Sequence, residues 1–100
     1  MSAYEKLKKL QNEHDLAFNL ALITLQEWGL NKAKNITDEQ IENAKAPLMA
    51  DEFARILFRY IRELAKIEEE ETMAIYKYIE IEKPFDTVGF KTRKAKRWLL

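Results

Sequence analysis

The chain has 100 residues, enough for one domain with a modest core and too few for two. Hydrophobic residues make up 47% and charged residues 34%, a globular balance, while two glycines and two prolines are too few for the frequent turns of an all-β chain. Seventeen bases offset seventeen acids, short of the basic surplus of a nucleic-acid domain, and the lack of cysteine removes disulfides and thiolate metal sites.

The chain opens on Ser2-Ala3-Tyr4-Glu5, the spacing of a capping box, in which the serine hydroxyl and the glutamate satisfy each other's backbone amides. Leu7, Leu10, His14, Ala17, Phe18, Ala21, Leu25 and Trp28 then recur every three or four residues. They predict one amphipathic helix running to a stop at Gly29. Leu16, Leu20 and Ile23 lie roughly opposite that stripe, so the second half of the helix is apolar on both sides. Such a helix either sits at the centre of a bundle or lends one face to a partner. The apolar run from Leu16 to Leu25, broken by Asn19, is ten residues long and too short to cross a bilayer. Glu13 and Asp15 precede it, and Trp28-Gly29-Leu30 offers no small-residue cleavage site, so the expected location is cytoplasmic.

Ile36-Thr37-Asp38-Glu39-Gln40-Ile41 holds a second capping box, Thr37 with Gln40, inside a hydrophobic staple of Ile36 and Ile41. A short helix from Asp38 to about Ala46 follows, ended by Pro47, which disfavours helical geometry in the residue before it. Phe53, Ile56, Leu57, Tyr60, Ile61, Leu64 and Ile67 define a third helix, with Asp51 and Glu52 placed at the positive end of its dipole. Carrying its phase onward puts Glu68 and Glu71 on the apolar side. Either the helix ends near Glu70 or two carboxylates point towards the core. Ile75 to Ile81 reads as helix, with a strand as the alternative because β-branched and aromatic residues crowd it. Lys83-Pro84-Phe85-Asp86 ends that element, and Phe90 to Trp98 reads as a last short helix. The expected fold is therefore all-α, a three- or four-helix bundle formed by residues 1–100 as one domain, with 83–100 a basic C-terminal segment. The alternative is a helical domain with a C-terminal β-hairpin, winged-helix-like in outline.

Most catalytic chemistry lacks its parts. Ser2 is the one serine and already serves as a cap, and with one histidine and no cysteine the usual nucleophile triads cannot be assembled. A single histidine also falls short of the common zinc and iron sites. His14 lies on the apolar stripe and reads as structural. Gly29 and Gly89 are too far apart to form a phosphate-cradling loop. Carboxylate chemistry with Mg²⁺ stays open, because Glu39-x-x-Glu42 and Glu68-x-x-Glu71 each place two acids on one helical face. This arrangement resembles the all-α nucleotide pyrophosphohydrolases, whose Glu-x-x-Glu is followed by a Glu-x-x-Asp that has no counterpart after Glu71. No cofactor and no small-molecule substrate are expected.

Two surfaces are candidates for binding. One is apolar: Leu16, Leu20 and Ile23, joined by Trp98 and Leu99 near the C-terminus. The other is basic: Arg55, Arg59, Arg62 and Lys66 on the third helix, with Lys91, Arg93, Lys94, Lys96 and Arg97 beyond it. The expected function is that of a small non-catalytic helical protein, a homodimer, that regulates or inhibits a protein partner. The alternatives are a nucleic-acid-binding regulator using the basic surface and, third, a Mg²⁺-dependent nucleotide hydrolase. A composition rich in lysine, isoleucine, asparagine and glutamate suits an accessory protein of a bacterium or virus with an AT-rich genome.

Overall fold

In the computed structural model residues 1–82 are described, and every regular element within them is an α-helix. In chain order these are α1 (Ala3–Glu13), α2 (Asp15–Trp28), α3 (Leu30–Lys34), α4 (Asp38–Glu42), α5 (Asp51–Glu70) and α6 (Ala74–Glu82). The all-α bundle foreseen from the periodicity is what forms, with more and shorter helices. The strand alternative is overturned for Ile75–Ile81, because that stretch lies in α6, and the winged-helix outline loses its first wing strand. The expected helix from Phe90 to Trp98 lies outside the described residues.

The longest helix organises the rest. α5 has 20 residues and so spans about 30 Å, and it packs against each of the other five helices. It buries Leu57, Tyr60, Ile61, Leu64 and Ile67 along one side. α2 lays Ala17, Phe18, Ala21, Leu22 and Leu25 into the same core, and α6 adds Ile75, Tyr78 and Ile79. Ile36 and Ile41, the staple residues, are both buried beneath α4. Both capping boxes form: Glu5 N donates to Ser2 Oγ at 3.2 Å and Gln40 N to Thr37 Oγ1 at 3.1 Å.

Three local departures from the sequence expectation have identifiable causes. The predicted first helix is broken at His14 (φ −157°, ψ 88°), where no proline or glycine stands. The imidazole enters the hydrogen-bond ladder: Nδ1 accepts from Ala17 N at 3.2 Å and caps α2. The second helix stops at Glu42 instead of near Ala46. Asn43 ends it, its backbone N–H and its side-chain amide both donating to Glu39 O. The third helix ends at Glu70, and Met73 (φ 70°) reverses the chain into α6. Glu68 does point inward, but to a purpose. Its carboxylate accepts from Met73 N at 2.6 Å and from Ile75 N at 3.1 Å, supplying acceptors for amides at the start of α6 that no intrahelical carbonyl can reach.

Gly29 provides another sharp turn, between α2 and α3. Its φ of +89° lies where side-chain-bearing residues are strained, although a Cβ there would meet no atom within 4 Å. The glycine is required by its backbone angle and not by lack of space. Trp28 beside it packs edge-on against Phe58 with centroids 5.5 Å apart, and Lys32 Nζ sits 4.7 Å from the Trp28 ring.

Candidate protein-interaction face

α2 has two apolar sides with different fates. One side is core. On the other, Leu16 is 58% exposed and Ile23 is 40% exposed, while Leu20 between them is half-buried and packs partly against the core. The spacing of four and then three residues stacks these side chains on one face. Of the two alternatives for a doubly apolar helix, the central position belongs to α5, while α2 keeps an outward face. Trp98 and Leu99, the other two residues assigned to this surface, lie outside the described residues. So do Lys91, Arg93, Lys94, Lys96 and Arg97.

The basic surface on α5 is less uniform than its sequence suggests. Arg59 and Lys66 are exposed and Arg55 is half-buried. Arg62 is drawn in: its side chain is 17% exposed, and Nη1 donates to Asp38 Oδ1 at 2.7 Å and to Ile36 O at 3.2 Å. Its Nε is buried without a partner. Arg62 thus pins the start of α4 to α5 and is drawn out of the exposed basic face. Arg62→Ala is expected to lower the unfolding free energy by about 1.5 kcal/mol. Asp38→Ala, which removes an almost fully exposed carboxylate, costs less. Urea titration of the two variants checks the order, and a larger loss for Asp38→Ala contradicts it.

No known protein family, characterised protein or solved structure matches this chain.

The carboxylate pairs do not assemble. Glu39 and Glu42 are exposed on α4, while Glu71 lies past the end of α5 (φ −136°, ψ 102°) and no longer shares a helical face with Glu68. Glu68 is occupied by the two amides of the α5–α6 connection. Among the described residues no three acids or histidines converge where a metal ion could be held. Glu69 faces Lys34, which ties the end of α5 to α3. A cleft of about 400 Å³ opens where α2 and α3 meet the α5–α6 connection, with Leu25, Leu30 and Met73 on its walls. Its carboxylates, Glu68 and Glu69, already have partners. No described helix is long and apolar enough to cross a membrane.

Around the α1–α2 junction the side chains are knit closely. Gln11 on α1 accepts from the Tyr78 hydroxyl on α6 and donates to Asp15 Oδ1 at 3.1 Å on α2. Tyr78 also packs against Tyr4 at 5.3 Å and against Phe18, edge-on, at 5.8 Å. Burial raises its hydroxyl pKa, and the Asp15 carboxylate pushes it the same way. Tyr60 on α5 is raised likewise by burial, then by the charge of Glu13, with Arg59 opposing. His14 sets its ring edge against Phe53 at 5.2 Å. Its imidazole is thus held by a cap on one side and an aromatic on the other, a structural use of the ring.

Proposed function

We propose that the chain is a non-catalytic interaction protein that pairs with a second copy through the outer face of α2 and, as that dimer, regulates or inhibits a protein partner. The observation that carries this is the exposure of Leu16 and Ile23 on a helix whose opposite side is core. Clustered apolar side chains on a surface favour association, because burying them removes apolar area from water. The stripe is nearly symmetric about Leu20. Two copies of α2 crossing antiparallel at Leu20 would bring each Leu16 to the other's Ile23, the self-complementary contact that a two-fold dimer needs.

Size-exclusion chromatography with light scattering tests the pairing. The wild-type chain is expected to run at twice the monomer mass at micromolar concentration. Leu16→Asp, which places a charge on the face in both copies, is expected to weaken pairing about a hundredfold while leaving the helical circular dichroism unchanged. A wild-type monomer at that concentration, or a dimer indifferent to Leu16→Asp, removes this reading.

A further inference from the structure

The break at His14 is a lapse of one residue in an otherwise continuous helix. His14 N still donates to Leu10 O at 3.1 Å and Phe18 N to His14 O at 3.0 Å, so the ladder is intact on both sides of the bend. The apolar phase is also continuous, since Leu7, Leu10, Ala17, Phe18 and Leu25 keep the same helical spacing across the junction. Neither helix ends on a breaker; the backbone turns at a histidine whose ring replaces a main-chain acceptor. Straightening His14 would restore backbone bonds for the first amides of α2 and forfeit the imidazole cap. At the hinge itself one set of hydrogen bonds replaces another, so what holds the bend is the seating of α1 on the bundle.

Bent, α1 packs on α2, α5 and α6 of its own chain. Leu7 is fully buried, Tyr4 meets Tyr78, and Lys8 Nζ lies 2.9 Å from Glu82 Oε2. Straight, α1 would continue α2 away from the bundle, strip Leu7 and Leu10 of their neighbours and take Tyr4 and Gln11 from Tyr78. A second copy in the same state offers the identical vacant seat. We propose that α1 is an exchangeable arm: His14 is its hinge, and two chains with straightened hinges seat their α1 helices in one another's bundles. The exchange re-forms the α1–α6 and α1–α5 contacts between chains and adds the main-chain bonds that each bend omits.

This arm is independent of the outer α2 face, so the two can fail separately. The chain has no cysteine, which lets single cysteines report on contacts. Two chains are prepared in a Leu16→Asp background, one with Lys8→Cys and the other with Glu82→Cys. They are unfolded together, refolded at increasing concentration and treated with a short bismaleimide. Covalent joining of the Lys8→Cys chain to the Glu82→Cys chain is expected, rising with concentration, because the exchange places those positions side by side. His14→Ala removes the cap and is expected to raise the joined fraction at fixed concentration about fivefold per hinge, the factor an ordinary helix cap is worth. His14→Asn, which restores a short capping acceptor, should return it to the wild-type level. Should His14→Ala fail to fold, the concentration series and His14→Asn still decide. Absence of the joined product at every concentration, or equal amounts in wild type and His14→Ala, overturns the exchange. Loss of wild-type pairing on Leu16→Asp bears on the outer face alone.

Discussion

Phe18→Ala is expected to cost about 4 kcal/mol of unfolding free energy, a large share of what a domain of this size possesses. Phe18 is completely buried in α2 and packs edge-on against Tyr78 of α6, so its ring joins these two helices in the core. Truncation removes the transfer energy of the ring and leaves a cavity that rigid helices cannot fill. The loss should exceed that of any single helix cap. The control lies two residues away. Leu16→Ala, on the exposed side of the same helix, should change monomer stability by less than about 0.5 kcal/mol. Urea unfolding followed by circular dichroism measures both at a concentration below any association. Similar costs at the two positions would mean that α2 does not divide into a core side and an outer side.

The second large effect is expected at Glu68. Its two oxygens accept from Met73 N and Ile75 N, a pairing across the chain reversal that no neighbouring residue duplicates in the described contacts. Glu68→Ala leaves two half-buried amides short of acceptors and should cost about 2.5 kcal/mol. Glu68→Gln keeps one acceptor and turns an NH₂ group towards a donor, so it should lose about half as much. The damage should be local. Amide hydrogen exchange of Met73 to Ile79 is expected to accelerate well before that of α5, since α6 would come loose while its neighbours hold. Uniform acceleration across the chain would show that Glu68 supports the whole bundle and not the start of α6.

What could be read from the sequence was what depends on near neighbours. The two capping boxes, the staple under α4 and the apolar side of α5 each follow from residues a few positions apart, and all form as expected. The break at His14 was not legible. The apolar phase runs straight through it, and histidine is not among the residues whose side chains ordinarily cap helices. Glu68 was legible as a misfit on the apolar side that left two readings open, and the structure has part of each: α5 ends at Glu70 and Glu68 points inward. Its role needed the chain reversal at Met73, which no local pattern announces. Arg62 reads from sequence as part of a basic binding surface, because its partner Asp38 is remote in the chain. For the candidate face, the spacing of Leu16, Leu20 and Ile23 showed a second apolar side. Only the packing of α2 on α5 shows that this side faces outward.

The reliance of every other helix on α5 has a consequence for how the protein breathes. α3 and α4 have five residues each, far below the length at which a helix persists alone, so each exists only while docked on α5. Opening of α4 and the turn around Pro47 and Leu48 therefore needs much less free energy than global unfolding, whereas α5 opens only with the whole domain. Proteases and exchanging solvent would enter there first. That soft edge, residues 37–50, is a segment of chain separate from both the outer face of α2 and the bend at His14. The protein can thus fray in the middle of its sequence without loosening the two surfaces proposed above for pairing and exchange.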